Sequence, residues 1–148
     1  MSYNCINQLM KHLKPYNEST TASLKLSPHA SLIDYMDDVF LDISDKGGVV
    51  NSYYKYSNHY EFYTCELNGR NSITWGDLRD ILLTLVSYFD EIMIKRYSLR
   101  INGDGYRSIE EFDEYLRDHI NNNMPYPKDE SNFKIRDSAI TFWIKSRN

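Results

Sequence analysis

The residues of this chain that are best spaced for chemistry lie in the segment RINGDGYRSIEE, residues 100–111. An EF-hand calcium loop needs oxygen ligands at positions 1, 3, 5 and 12 and a glycine at position 6. The segment fits this spacing at Asn102, Asp104, Gly105 and Glu111. Position 1, however, is Arg100, a cation where a carboxylate must bind the metal. The Asn-Gly and Asp-Gly pairs therefore predict a turn between helices, with a calcium-responsive helical protein as an alternative.

The other residue types that commonly carry catalysis are scattered along the chain. The four histidines form neither an HxxxH nor an HExxH pattern. The cysteines, Cys5 and Cys65, have no metal or redox spacing. Gly47-Gly48 lacks the Lys-Ser or Lys-Thr pair that follows the glycines of a phosphate-binding loop. The sequence therefore predicts a protein that is not an enzyme and that binds no metal and no cofactor.

The composition, with 41% hydrophobic and 26% charged residues, is typical of a globular protein. A length of 148 residues predicts a single domain over residues 1–148. The net charge of −4 argues against nucleic acid as the main partner. The 13 tyrosines suit a partly exposed binding surface, although an AT-rich genome that favours tyrosine codons explains them equally well.

One strongly apolar segment, at about residues 75–96, is predicted to be the central helix that positions the rest. Its apolar residues recur at helical spacing: Leu78, Ile81, Leu82, Leu85, Val86 and Phe89. Thr74 is the expected N-cap, and Asp77 can close a capping box with it. A helix that is apolar almost all round is buried on most faces. The segment is too short and too charged at its ends to span a membrane, which takes roughly 20 apolar residues.

Amphipathic segments lie on both sides of this central helix in the sequence. One falls within residues 3–16, a second begins at Ser27-Pro28 and runs to Ile43, and a third follows Ser108. A last amphipathic segment covers residues 133–144. These patterns predict an all-α bundle of about six or seven helices.

Residues 49–67 allow two interpretations. Their composition, VVNSYYKYSNHYEFYTCEL, is rich in aromatic and β-branched residues, as strands are. Aromatic and aliphatic residues also recur every three or four positions, at Val49, Tyr53, Tyr56, Tyr60, Tyr63 and Leu67. We interpret the segment as one or two helices and leave irregular structure open.

Three short stretches follow one another along the predicted helices: residues 32–37 (Leu-Ile-Asp-Tyr-Met-Asp), residues 73–76 (Ile-Thr-Trp-Gly) and residues 115–120 (Tyr-Leu-Arg-Asp-His-Ile). The first resembles the Leu-x-x-x-Gly-Asp core of the second helix in the Bcl-2 family of apoptosis regulators. The second resembles that family's Asn-Trp-Gly-Arg signature, and the third is similar to its Tyr-Leu-x-Asp-His-Leu stretch. The resemblance covers about residues 30–143.

The resemblance implies a Bcl-2-like bundle whose apolar groove receives an amphipathic helix from a death-promoting relative. The positions that match the lining of this groove are Val39, Ile43, Tyr63, Leu67, Trp75 and Gly76. Asp77 stands where the family has the arginine that pairs with an aspartate of the incoming helix. Arg79 or Arg70 would then supply the cation, or Asp77 serves only the capping box.

The function that the resemblance implies is inhibition of apoptosis, by sequestering pro-apoptotic helices of host Bcl-2 family proteins in the groove. The alternative is a viral protein of the same fold that blocks innate-immune signalling through a surface other than the groove. Divergent members without a membrane anchor are often viral. The expected location is therefore the host cytoplasm, or mitochondria through a partner. A homodimer is left open, and the partners are not expected to include nucleic acid.

Overall fold

The structure, a computed structural model, describes residues 28–122 and 130–146. Its elements in chain order are α1 (Pro28–Val39), α2 (Leu41–Asp45), β1 (Val49–Tyr56), β2 (Tyr60–Thr74), α3 (Trp75–Glu91), β3 (Arg96–Ile101), β4 (Asp104–Tyr106), α4 (Ile109–Asn122), a 3-10 turn (Glu130–Asn132) and β5 (Lys134–Ser146). The helix predicted within residues 3–16 and the predicted cap Ser27 lie outside the described residues.

The prediction of an all-α bundle is wrong, because the five described strands form one antiparallel sheet. The strand order is β1-β2-β5-β3-β4, so the last strand in the sequence lies at the centre of the sheet. The helices pack against one face, where α1 contacts β1 and α3 contacts β2 and β5. The protein is therefore a mixed α/β fold.

The segment at residues 49–67, predicted as helical, is instead the hairpin of β1 and β2. From Cys65 to Asn68 its burial alternates with the period of two of a half-buried strand, whereas Thr64, before this stretch, is buried as well. On β2, Tyr63, Cys65 and Leu67 are buried, whereas Glu66 and Asn68 between and after them are exposed. The regularly spaced tyrosines fit a helical period by eye, but they fall on both faces of the sheet.

The prediction for residues 133–144 is wrong for the same reason. These residues form most of β5, in which Ile140 and Phe142 are buried and Thr141 and Trp143 are half-buried. Strands at the centre of a sheet obtain their hydrogen bonds from both neighbours, and β5 pairs with β2 on one side and β3 on the other.

The Asn102-Gly103 pair forms the two-residue turn of the β3–β4 hairpin, not a turn between helices. Both residues have positive φ, 50° and 91°, as a type I′ hairpin turn demands. The Asn102 side chain also accepts hydrogen bonds from the backbone amides of Arg136 (2.7 Å) and Asp137 (3.3 Å). Oδ1 of Asn102 therefore links the turn to β5. The described residues contain no cluster of three or more metal-ligating side chains.

The start of α3 agrees with the sequence. Thr74 accepts a hydrogen bond from the Asp77 amide, and the Asp77 carboxylate accepts one from the Thr74 amide, which confirms the predicted capping box. The helix ends at Glu91, however, and the chain passes into β3 at Arg96. Among the described residues, no helix is long and apolar enough to cross a membrane.

The hydrophobic core lies between the helices and the covered face of the sheet. Phe89 of α3 stacks on Phe142 of β5 with ring centroids 3.9 Å apart, and Tyr63 of β2 lies 5.8 Å from Phe89. Trp75 meets Phe112 of α4 edge to face at 4.5 Å. One face of every long strand is thus committed to folding, and the opposite face is left for other roles.

Candidate binding surface

The residues expected to line a groove for a helix are mostly in this core. Ile43, Tyr63, Leu67 and Trp75 are buried, and Val39 is half-buried. The hydroxyl of Tyr63 is hydrogen-bonded to Nδ1 of His29, and burial raises the pKa of Tyr63. An incoming helix could reach these side chains only if the helices left the sheet.

The polar members of the predicted site stabilise the helical layer. Lys46 donates a 2.6 Å hydrogen bond to Asp77, and Nε of Arg79 donates to Asp113 at 2.9 Å. Asp113 also accepts a hydrogen bond from Nε1 of Trp75 at 2.8 Å. Asp113 was not singled out in the sequence, although it joins the first turns of α3 and α4.

Gly76 lets the 3-10 turn approach the start of α3. A Cβ atom at this position would lie 2.8 Å from Cβ of Ser131, closer than side chains tolerate. The segment that approaches Gly76 closely thus belongs to the same chain and is not an incoming helix.

The other face of the sheet, which we call the open face, carries side chains from β1, β2, β5 and β3. The cross-strand register places Lys55, Phe62, Trp143 and Arg96 in one row and Tyr53, Thr64, Thr141 and Ser98 in the next. A third row holds Asn51, Glu66, Ala139 and Arg100. Apart from Lys55 and Asn51, these residues line a concave space of about 770 Å³ that Arg107 also borders.

Aromatic rings form the apolar part of the open face. Phe62 and Trp143 lie side by side, with centroids 5.0 Å apart and planes tilted by 54°. Nε1 of Trp143 donates a hydrogen bond to Oγ of Ser98 at 3.1 Å, which fixes the orientation of the indole. Both rings are half-buried and so keep surface for a ligand. The ring of Tyr53 lies 5.2 Å from Nζ of Lys55, close enough for a cation–π contact.

Arginines supply the charge of the open face. Arg96, Arg100 and Arg107 are exposed, and within the described residues none of them forms an ion pair. Two carboxylates lie nearby. Glu66 is exposed in the third row of the face, and Glu111 accepts a hydrogen bond from the Arg107 amide at 3.2 Å. The result is a mixed surface with an excess of positive charge.

This positive excess contrasts with the rest of the molecule. The four helices carry 14 aspartate and glutamate residues and two arginines, whereas the five strands carry seven lysine and arginine residues and four carboxylates. The net charge of −4 for the whole chain does not reveal this separation of charge between helices and strands. The helical layer on one side of the sheet is acidic, whereas the rows of the open face carry Lys55, Arg96 and Arg100 against Glu66. Such a distribution orients an approaching charged partner toward the open face.

The thiol of Cys65 does not contribute a nucleophile to either surface. The residue is 2% exposed, and burial raises the pKa of its thiol to about 12. At neutral pH the thiol is protonated, and the thiolate is the reactive form.

No family model, no curated protein and no solved structure matches this chain. The resemblance to the Bcl-2 family stays a prediction, but the helical bundle that it implied is wrong. Function must therefore be inferred from the geometry of the chain itself.

The sequence contained one signal for the sheet that the helical interpretation missed. Asn102-Gly103, a strong short-range signal for a hairpin, lies between the residues that form β3 and β4. The open face itself is not marked by a simple alternation, because Tyr63 and Thr64, on opposite faces of β2, are both buried.

Proposed function

We propose that this protein is a non-enzymatic binding protein that receives an acidic, partly apolar segment of another protein on its open face. The observation that carries the proposal is the concave surface where half-buried aromatic rings lie among exposed arginines that form no ion pair with any described residue. Aromatic residues and arginine are the types enriched at protein interfaces and at their energetic hot spots.

The two kinds of side chain would have separate roles. Phe62 and Trp143 offer rigid apolar area that a partner can cover without ordering many rotatable bonds. Arg96 and Arg100 are free to form bidentate contacts with carboxylates and would attract an acidic segment before contact. We therefore expect the rings to govern the dissociation rate and the arginines to govern the association rate and its salt dependence.

Two features favour a protein segment over a nucleic acid. Glu66 is exposed in the third row of the open face, where it would repel a chain that carries one negative charge per nucleotide. The net charge of −4 would add to that repulsion at long range. A protein segment can place a lysine or a hydroxyl opposite Glu66 and carboxylates opposite the arginines.

The partner predicted from the sequence belongs to this chemical class, because the pro-apoptotic helices are amphipathic and carry a recognition aspartate. The open face would then take the place of the groove. The immune-signalling alternative, which uses a surface other than the groove, is equally compatible with the open face. Both stay predictions. They differ in the identity of the partner, whereas both use the open face for binding.

Fluorescence anisotropy with labelled probes tests the proposal. The first probe is an amphipathic peptide of about 20 residues, long enough for a 30 Å helix, with leucine and phenylalanine on one face and glutamate on the other. The second has lysine in place of each glutamate, the third is single-stranded oligothymidine, and further probes are pro-apoptotic helix peptides. We expect binding to the acidic peptide and to the pro-apoptotic helix peptides, weaker binding to oligothymidine, and none to the lysine peptide.

Variants identify the surface. Trp143→Ala should weaken binding of the acidic peptide by roughly 30-fold, or about 2 kcal/mol. Arg96→Glu with Arg100→Glu should abolish it, whereas Lys95→Glu with Arg117→Glu is the matched control, since it changes the net charge equally on the helical side. Equal loss in both double variants, or preferred binding of oligothymidine, would contradict the proposal.

A further inference from the structure

The two edges of the sheet differ in a way that bears on self-association. At one edge β4 has three residues and begins with Asp104, so it offers little backbone to another strand. At the other edge β1 has eight residues, contains no proline, and carries Lys55 as its only charge. Within the described residues β1 pairs only with β2. Natural proteins usually shorten, charge or bend such an edge, because an open strand is a template for pairing.

The hydrogen-bonding groups that β1 directs outward follow from its hairpin. The Ser57 amide donates to the carbonyl of Tyr60 at 2.7 Å. Bonded pairs alternate along an antiparallel ladder, so the odd-numbered residues of β1 bond to β2. The even-numbered residues therefore point their amides and carbonyls away from the sheet: Val50, Ser52, Tyr54 and Tyr56.

We propose that β1 pairs antiparallel with β1 of a second copy of this chain, about a two-fold axis at Tyr53. This proposal is independent of the function proposed for the open face. A two-fold axis perpendicular to the sheet keeps the open faces of both copies on the same side. Odd-numbered residues of one copy therefore pair with odd-numbered residues of the other, and even-numbered with even-numbered. Centring the pairing on Tyr53 engages all four outward residues of each copy, whereas centring it on Ser52 or Tyr54 leaves one unpaired.

The side chains suit this register. Val50 would lie opposite Tyr56 of the second copy, and Tyr56 is 74% exposed in the single chain. Asn51 would lie opposite Lys55, so the two lysines would be about 13 Å apart along the strands and would not repel strongly. Leu41, 57% exposed on the adjacent α2, adds apolar surface at the same edge. These features favour a second copy as the occupant, because the strand complements itself in this register.

The pairing would join two open faces into one surface on a ten-stranded sheet. A partner with two acidic segments could then bind both copies at once, which raises its apparent affinity without a new contact.

Sedimentation velocity over a concentration series tests whether the chain associates. We expect a species of twice the 17.5 kDa chain mass that grows with concentration. Ser52→Pro removes an outward amide without removing a bond to β2, so it should shift this equilibrium to the monomer while circular dichroism stays unchanged. A wild-type protein that is monomeric at every concentration would overturn the proposal. Another segment or a foreign strand would then be the candidate that pairs with β1.

Disulfide trapping tests the register, in a Cys5→Ser background that keeps the buried Cys65. Tyr53 would face Tyr53 of the second copy in a non-bonded pair with Cα atoms roughly 4.5 Å apart, within the range that a disulfide bridges. Tyr53→Cys should therefore give a covalent dimer on mild oxidation, whereas the control Lys55→Cys should give little, because its copies are out of reach. Equal trapping of both, or trapping of Lys55→Cys alone, would overturn the register.

Discussion

The two faces of the central strands use adjacent residues for opposite purposes. On β5, Phe142 is buried against Phe89, and its neighbour Trp143 lies half-buried beside Phe62 on the open face. The covered face is apolar and closely packed, whereas the open face mixes rings with arginines. Under the proposed function, stability and recognition are divided between the two sides of one sheet. Changes on one side should therefore spare the property carried by the other.

The largest expected effect is on stability, when the adjacent residues Phe142 and Trp143 are each replaced by alanine. Phe142→Ala should lower the free energy of unfolding by about 3–5 kcal/mol, because it leaves a cavity against Phe89. Trp143→Ala should cost only about 1 kcal/mol, since the ring is half-exposed, although it should weaken binding. Urea denaturation measures both values. Equal losses of stability would break the distinction between the faces.

A second comparison sets a buried carboxylate against an exposed one. Asp113→Ala should cost about 2–3 kcal/mol, because it leaves the Trp75 indole N–H unsatisfied and removes the partner of Arg79. Glu66→Ala on the open face should stay within about 0.5 kcal/mol. Thermal unfolding of both variants checks this, with Asp113→Asn as the conservative control that keeps an acceptor for Trp75. A loss of stability for Glu66→Ala as large as that for Asp113→Ala would contradict this prediction.

The helical layer should also show a specific pH dependence. Burial alone would raise the pKa of Asp77, but hydrogen bonds from Lys46 and Thr74 outweigh it and hold the pKa below its ordinary value of 3.8. A lowered folded-state pKa means that the stabilisation is complete above the ordinary value and is lost as the pH falls through the folded value.

Asp77→Asn should therefore reduce the free energy of unfolding by about 1 kcal/mol at neutral pH and by progressively less as the pH falls below the ordinary pKa of 3.8. Denaturant titrations at several pH values measure the difference. Asp80→Asn, an exposed change on the same helix, is the control and should be nearly neutral. A pH-independent difference between Asp77→Asn and the wild type would show that the carboxylate charge is not responsible.

The smallest expected effect is a gain in stability at the end of α3. Met93 has a φ of 69°, a left-handed conformation that favours glycine, and its side chain is 61% exposed. Met93→Gly should raise the melting temperature by the equivalent of about 0.5–1 kcal/mol. Met93→Ala keeps the strained Cβ and should give no such gain. If both variants behave alike, the backbone conformation does not limit stability here.

The local features of the helices were predictable from the sequence. Pro28 begins α1 as expected, and Gly47-Gly48 follows the end of α2. Ser108 accepts a hydrogen bond from the Glu111 amide at the start of α4, as its position suggested. Each of these features depends on residues no more than four positions apart, so a short window of sequence contains all the partners.

The candidate site was not predictable in the same way. Tyr63 and Leu67 were expected at a surface and are buried, whereas Phe62 and Trp143, absent from the expectation, form the open face. In the tyrosine-rich segment the spacing of the tyrosines matched a helical period, whereas the residue types favoured a strand. Which period applied depended on whether a neighbouring strand was available, and the segment itself does not contain that information.

The start of α1 at Pro28, the caps of α3 and α4 and the apolar character of the buried segments could be read from the sequence alone. That residues 49–67 and 133–144 are strands depended on the tertiary structure. A helix closes its hydrogen bonds within four residues, but Tyr63 pairs with Phe142, which lies far along the chain. The face that carries Phe62, Trp143 and the arginines exists only once those distant strands have met.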